Sequence, residues 1–183
     1  MDKHRDDETD KKERKKPRSR RTLYLVRHAI AAERGEKYPD DDKRPLTHDG
    51  IARMRQVVRG FSEFEPDVDL VLTSPLVRAR HTADILMAGL SPAPALEVLD
   101  TLAPGNAPAD VAGRISGHGG RRVIALVGHE PDLGALAAWL IGAREPLVFK
   151  KGGIARIDVP SFPPGRDGQL VWLATPKMLR AMR

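Results

Sequence analysis

The sequence predicts an α/β fold, a three-layer α/β/α sandwich in which helices cover both faces of a mainly parallel sheet. Short apolar runs of strand length alternate along the chain with longer segments whose apolar residues recur at helical spacing. The chain has 183 residues, which is enough for a single core. We therefore expect one domain, residues 22–183, with an antiparallel C-terminal hairpin at the edge of the sheet.

Residues 1–21 differ in composition from the rest of the chain. They hold ten Lys and Arg residues, six Asp and Glu residues and one apolar residue, Met1. Such a segment buries too little apolar surface to offset the entropy of ordering it, so we predict a disordered basic tail. The tail is either an arm for an acidic partner or a solvated extension. Nucleic acid is not the expected partner, because no aromatic residues interleave with the charges.

The first half of the predicted domain contains two strand–helix pairs. A buried strand at 22–26 is followed by a polar loop and by a helix that Thr47 caps. A second strand at 68–72 leads into a helix with Ser74 as its cap and Pro75 as its first residue. The apolar stripe of this second helix consists of Leu76, Ala79, Ala83, Leu86 and Leu90.

The second half begins with a short strand at 98–99 and a short helix at 110–115. The most strand-like run of the chain, 122–127, comes next, and the helix after it is marked by Leu133, Leu136, Ala137, Leu140 and Ile141. Two alternating segments, 154–159 and 169–174, flank a Pro-Pro-Gly turn. They predict the antiparallel hairpin.

Composition excludes several classes of protein. Cysteine is absent, which excludes disulfides, thiolate metal sites and a cysteine nucleophile. No apolar run approaches the ~20 residues needed to cross a membrane, so we expect no membrane partner. The basic N-terminus lacks the apolar stretch of a secretory signal. The expected location is the cytoplasm.

Basic and histidine residues follow the ends of three predicted strands. The first strand ends in Arg27 and His28, the helix after the second carries Arg78 in its first turn, and the third ends just before His129. Ligands of open α/β sheets bind at this edge. A neutral imidazole can attack phosphorus while a protonated one stabilises negative charge, and a guanidinium can hold two phosphoryl oxygens. The cluster favours a phosphoryl site, although each residue alone also fits a structural role.

Other phosphate or metal sites are not expected. The chain has neither a G-x-x-x-x-G-K-[ST] loop nor a G-x-G-x-x-G segment after a strand. Asp40, Asp41 and Asp42 could hold a divalent cation, but three consecutive carboxylates in a polar loop are more often simply solvated. We therefore predict no metal and no cofactor.

Four short motifs occur in order along the chain. They are R-H at 27–28, R-P-L-T-x-x-G at 44–50, S-P-x-x-R-A-x-x-T at 74–82 and G-H-x-P at 128–131. With them the sequence resembles the histidine phosphatase superfamily, and more narrowly its SixA-type phosphohistidine phosphatases, over residues 22–176. The compact length is also typical of that branch.

The resemblance implies a metal-independent phosphatase in which His28 is the nucleophile and becomes phosphorylated. It implies that Arg27, Arg78 and His129 surround the phosphoryl oxygens. Arg44 is implied either as a further substrate contact or as a residue that orders the preceding loop. The implied substrate is phosphohistidine on a protein. The alternatives are a phosphorylated small metabolite and a non-catalytic module that only binds phosphate or a phosphoprotein.

Two positions depart from the superfamily pattern. Ala29 stands where the motif usually has glycine, so this position must tolerate a side chain. The mid-chain glutamate acid of many members has no clear counterpart, and Asp100 is the only carboxylate in the comparable stretch. Without such an acid we expect phosphohistidine and activated aryl esters to be preferred over alkyl phosphates, unless Asp100 protonates the leaving group.

Overall fold

The computed structural model describes residues 20–64 and 67–182 of the chain. Its sheet consists of β1 (Arg21–Arg27), β2 (Leu70–Thr73), β3 (Ala95–Val98), β4 (Val123–Gly128), β5 (Ile154–Val159) and β6 (Gln169–Ala174). The spatial order is β3-β2-β4-β1-β5-β6. The first four strands are parallel, β5 is antiparallel to β1, and β6 is antiparallel to β5. The predicted parallel sheet with a hairpin at its edge is confirmed.

Helices cover both faces of this sheet. The α-helices of the described residues are α1 (His48–Phe64), α2 (Val77–Ala88), α3 (Pro108–Arg114), α4 (Asp132–Leu140) and α5 (Pro176–Ala181). Helices α1, α2 and α5 bury their apolar residues on one face, and α3 and α4 on the other. No helix in this part of the chain has the length and apolar character that crossing a membrane would require.

The residues of β1 show why the central strands are continuous apolar runs. Leu23 and Leu25 lie in the core with α3 and α4, whereas Tyr24 and Val26 lie in the core with α1, α2 and α5. Successive side chains of a strand point to opposite faces, so a sheet covered on both faces needs apolar residues at every position. The side chains of this one strand therefore contribute to two hydrophobic cores, one on each face of the sheet.

The start of α2 differs from the prediction. The helix begins at Val77 with Leu76 as its N-cap residue, so Pro75 is not its first residue and Ser74 is not its cap. The N–H of Ser74 donates to the carbonyl of Val127 in β4 at 3.0 Å. This bond extends the sheet ladder by one residue and delays the turn into the helix.

The other helix starts and strand bounds agree in part. Thr47 does cap α1, since its Oγ1 accepts from the N–H of Gly50 at 2.9 Å. Strand β3 ends at Val98, whereas the prediction placed it at 98–99. This edge strand is mostly exposed, so its sequence carries a weak apolar signal. Helix α3 begins two residues early, at Pro108, and α5 was not predicted at all.

The predicted N-terminal tail falls almost wholly on residues 1–19, which lie outside the described residues. Arg21 corrects its boundary. This residue is the first of β1 and pairs with Val159 of β5, so β1 includes one residue that the prediction had assigned to the tail.

Candidate active site

The register of the sheet brings two histidines together. Arg27 of β1 pairs with Gly128 of β4, so His28 and His129 leave the parallel strands side by side. Their ring centroids are 5.1 Å apart. Both side chains are buried, with His28 7% and His129 3% exposed.

A cavity of about 470 Å³ lies at this end of the sheet. All five residues that the sequence analysis singled out line it: Arg27, His28, Arg44, Arg78 and His129. The other charged residues of its lining are Arg34, Asp41, Asp42, Glu130 and Lys151. Elements far apart in the sequence therefore converge on one mainly basic cavity.

His28 is held in one tautomer. Its Nδ1 lies 2.7 Å from the carbonyl oxygen of Ala29. A carbonyl oxygen can only accept, so Nδ1 carries the hydrogen and Nε2 keeps a free lone pair. Burial lowers the pKa of His28 to about 4; the bond to Ala29 opposes this shift, and Arg78 adds to it. His28 is therefore neutral at pH 7, as a nucleophile must be.

His129 is also neutral in the free protein. Burial lowers its pKa to about 3, and the neighbouring His28 and Arg78 lower it further. Its Nε2 lies 2.8 Å from Oγ of Ser74. That Oγ also accepts from the N–H of Leu76; when its own hydrogen points to Nε2, Nδ1 of His129 carries the ring hydrogen and can donate. A protonated histidine, expected for charge stabilisation, would thus require a bound anion to raise the pKa.

Arg27 is half-buried and Arg78 is buried, and each has a buried nitrogen, Nε, without a partner in the described part of the chain. Arg27 donates from Nη1 to the carbonyl of Phe149, and Arg78 donates from both terminal nitrogens to Asp41. Nε of Arg27, Nε of Arg78 and Nδ1 of His129 are buried and have no hydrogen-bond partner among the described residues. A buried donor left unpaired costs about 1–3 kcal/mol. All three nitrogens belong to residues that line the same cavity, where a bound anion would supply acceptor oxygens.

Thr82 connects the second motif to the first. Its Oγ1 donates to the carbonyl of Arg78 at 2.7 Å and accepts from the N–H of Ala29 at 3.0 Å. The hydroxyl thus ties α2 to the turn that follows β1. Sequence reasoning found Thr82 in the motif and gave it no role, although its spacing of four residues from Arg78 places both on one helix face.

Ala29 itself is buried and packs within the core on the α1 and α2 face. A small cavity of about 90 Å³ adjoins it. The position accommodates a methyl group, as the sequence analysis required.

The interpretation of the three aspartates as simply solvated is wrong for Asp41. This residue is on a short 3-10 helix, Asp41–Lys43, and its carboxylate pairs with three arginines. The distances are 2.6 Å to Arg34 Nε, 2.6 Å to Arg44 Nε and 3.0 Å to Arg78 Nη2. Among the described residues no cluster of three or more His, Asp or Glu side chains is arranged to hold a metal.

Asp100 lies outside the cavity. It is exposed, at the start of a 3-10 helix, Asp100–Leu102, and the cavity is lined instead by the following Ala103 and Pro104. Glu130, which the sequence analysis did not single out, does line the cavity. Its Oε1 accepts from the N–H of Phe149 at 2.7 Å.

Comparison with known sequences gives three matches. The sequence model of one protein family, the histidine phosphatase superfamily (branch 1), matches residues 23–103. An uncharacterised protein of Picosynechococcus sp. is 38% identical over 165 residues, which cover 86% of this chain and 98% of that protein. The phosphohistidine phosphatase SixA of Escherichia coli is 26% identical over 165 residues, which cover 87% of this chain and 99% of that protein.

Comparison with solved structures agrees on the fold. The protein histidine phosphatase SixA complexed with tungstate matches with a TM-score of 0.75 at 24% identity, covering 85% of this chain and 97% of that one. An α-ribazole phosphatase of Shigella flexneri matches with a TM-score of 0.65 at 18% identity, covering 85% and 96%. The family model and the sequence relatives agree with this fold. The chain is a phosphatase that belongs to the histidine phosphatase superfamily, on its SixA-type branch.

Proposed function

We propose that this protein hydrolyses phosphohistidine on a protein through a phosphorylated His28. One observation carries the proposal: a neutral His28 with a free Nε2 lines the same cavity as Arg27, Arg78 and His129, each of which has a buried nitrogen without a partner among the described residues. Similarity to the Escherichia coli relative named as a phosphohistidine phosphatase supports the substrate class. Membership of a phosphatase family argues against a module that only binds phosphate.

In the first step the Nε2 lone pair of His28 attacks phosphorus in line with the bond that breaks. The substrate ring reacts protonated at its other nitrogen, so the electron pair of the P–N bond leaves with a neutral imidazole. Arg27, Arg78 and His129 donate to the phosphoryl oxygens, whose charge is spread over three positions in the transition state. The new positive charge on the His28 ring is stabilised by the carbonyl of Ala29, because hydrogen bonds from charged donors are stronger.

In the second step water attacks the phosphorus of phosphorylated His28. The bond from Nε2 to phosphorus breaks, inorganic phosphate is released, and the imidazole returns to its neutral state. The same donors stabilise this transition state, so both steps use one set of fixed positive groups.

The carboxylates of the cavity support a nitrogen leaving group. An alkoxide needs a proton from a positioned acid, whereas an imidazole nitrogen is protonated more readily. Hydrogen bonds from Arg34 and Arg44 hold the pKa of Asp41 well below its usual range. Glu130 accepts a hydrogen bond from the N–H of Phe149, Asp42 is exposed at the cavity, and Asp100 does not line it.

A phosphatase of small metabolites is the alternative. The cavity volume of about 470 Å³ falls in the range of small-molecule sites, and the fold is shared with a phosphatase named for α-ribazole. This alternative needs an acid for the leaving group. Glu130 lines the cavity and is the first candidate to test, and Asp100, which the sequence offered, is the second.

The decisive experiment compares kcat/KM for a phosphohistidine peptide, p-nitrophenyl phosphate and a sugar phosphate, in the parent, in Glu130→Gln and in Asp100→Asn. We expect the phosphohistidine peptide to exceed the sugar phosphate by about 10²-fold or more, the usual worth of a general acid. Asp100→Asn should leave all three values unchanged. Equal efficiency on peptide and sugar phosphate, with a loss for the sugar phosphate alone in Glu130→Gln or in Asp100→Asn, would establish the alternative.

A further inference from the structure

Asp41 holds Arg78 by one edge of its guanidinium group. The backbone carbonyl of Asp41 accepts from Nη1 at 2.7 Å, and its Oδ2 accepts from Nη2 at 3.0 Å. These two nitrogens form the end of the guanidinium, so the contact is end-on. The remaining edge contains Nε, which is buried and lacks a partner among the described residues. That edge is a second bidentate fork and matches two oxygens of a phosphoryl group.

We propose that Asp41 is a positioning residue that turns the Nε edge of Arg78 toward the phosphoryl group. The proposal rests on the function proposed above, since it requires Arg78 to act on the reacting phosphate. It assigns to the loop before α1 a direct part in setting transition-state geometry.

The carboxylate of Asp41 is itself fixed before it reaches Arg78. Its Oδ1 accepts from Nε of Arg44, and Nη1 of Arg44 donates to the carbonyl of Ala32 in the same loop. The side chain of Arg44 is only 15% exposed, so this ion pair is weakly screened by solvent. Arg34 also contacts Oδ1, but at 75% exposure its pair contributes little. Arg44 thus acts as the internal support of the Asp41–Arg78 contact.

Charge and orientation have opposite effects at this position. The negative charge of Asp41 lies beside the cavity and repels a phosphate dianion, so removing it should not weaken ground-state binding. Removing it also frees the Arg78 fork, and misplacing such a group reduces the rate of the chemical step. A positioning role therefore predicts that kcat falls while KM does not rise.

The test compares Asp41→Asn and Asp41→Ala with Asp42→Asn, a matched control. Asp42 is the next residue, is exposed and lines the same cavity, so its substitution removes the same charge. With p-nitrophenyl phosphate we expect kcat to fall by about 10-fold or more in Asp41→Ala and less in Asp41→Asn. KM and the tungstate Kd from calorimetry should stay within about threefold of the parent. Asp42→Asn should lower kcat less than Asp41→Asn does, because the ion pair of Arg78 is with Asp41.

Two results would overturn the proposal. An unchanged or raised kcat in both Asp41 variants would show that the carboxylate only competes with the substrate. An equal fall of kcat in Asp42→Asn would show that the effect is one of charge alone. If Asp41→Ala fails to fold by thermal denaturation, Asp41→Glu gives the same test, because it keeps the charge and moves the oxygens; kcat should again fall without a rise in KM.

Failure of the proposed function gives a different result. A parent protein without turnover of any phosphorylated compound would refute the function, whatever the Asp41 variants do. A parent that turns over p-nitrophenyl phosphate, with Asp41 variants of parental kcat, would refute the positioning role alone.

Discussion

The imidazole of His28 is oriented by the backbone of its own neighbour, Ala29, whose carbonyl oxygen lies 2.7 Å from Nδ1. Nucleophilic and basic histidines are often oriented by a carboxylate. Here the orienting group is a peptide oxygen, so it adds no negative charge beside the phosphoryl site. It is also independent of which side chain occupies position 29, provided the turn keeps its shape.

His28→Ala should abolish turnover, because the variant lacks the attacking nitrogen. We expect kcat/KM to fall by about 10⁴-fold or more and the acid-labile phosphoenzyme to vanish from rapid-quench samples. His81→Ala, which removes an exposed histidine of α2, is the matched control and should retain both. Equal phosphate labelling of His28→Ala and the parent would assign the intermediate to another residue.

Arg78→Lys should fail as a replacement. A lysine has a single side-chain nitrogen, so it cannot pair with Asp41 through two nitrogens and also present a planar fork to phosphate. We expect kcat/KM to fall by about 10²-fold or more in both Arg78→Ala and Arg78→Lys. Arg80→Lys serves as the control, since Arg80 is exposed and pairs with Asp84 on the surface of α2. A lysine variant of near-parental efficiency would mean that net charge suffices.

Thr82→Val should uncouple α2 from the turn after β1. The valine keeps the shape of threonine but leaves the N–H of Ala29 unpaired and buried, at a cost of about 1–3 kcal/mol in the free energy of unfolding. We expect kcat/KM to fall as well, because Ala29 also orients His28. Thr82→Ser retains the hydroxyl and should restore activity, even if the lost methyl lowers stability. Equal activity in Thr82→Val and Thr82→Ser would show that the hydrogen bonds of this hydroxyl do not affect catalysis.

Stability should decline as the pH falls below the ordinary pKa of histidine. Burial lowers the folded-state pKa of His28 to about 4 and of His129 to about 3, whereas the unfolded value is about 6.5. Between these limits the unfolded chain binds more protons, so the free energy of unfolding falls with falling pH. At pH 5 each histidine should contribute a loss of about 2 kcal/mol.

Urea unfolding at pH 7, 6 and 5 measures this effect. Because carboxylates also titrate toward low pH, the informative comparison is between the parent and His129→Gln. The variant should lose less stability between pH 7 and pH 5 than the parent does. Parallel pH profiles for the two proteins would show that His129 is not kept neutral by the fold.

The sequence was most informative where burial is complete. Strands β1 and β4 are covered on both faces, and their unbroken apolar runs predicted them and the histidines that follow them. The parallel pairing of Arg27 with Gly128 then explains why His28 and His129 meet. Periodicity and strand-end chemistry thus sufficed for the centre of the site.

The periphery could not be predicted because its contacts join distant segments. Nothing local to Asp41 indicates that its carboxylate reaches Arg78, which lies 37 positions later. The bond from His129 to Ser74 spans 55 positions in the same way. Strand β3 and helix α5 were misplaced or missed because short, exposed elements carry little hydrophobic signal.

Strand β1, which leads to His28, lies between β4 and β5. It should therefore open less readily than the loop that contains Asp41. The amides of β1 lie within ladders on both sides, so they should exchange with deuterium only when the whole domain unfolds. Residues 33–43 are held by an isolated bridge, a short 3-10 helix and side-chain bonds, and should exchange through local opening. On heating, Asp41 and Arg44 should therefore release Arg78 while His28 is still in place. Catalytic activity should then be lost at a lower temperature than the global fold.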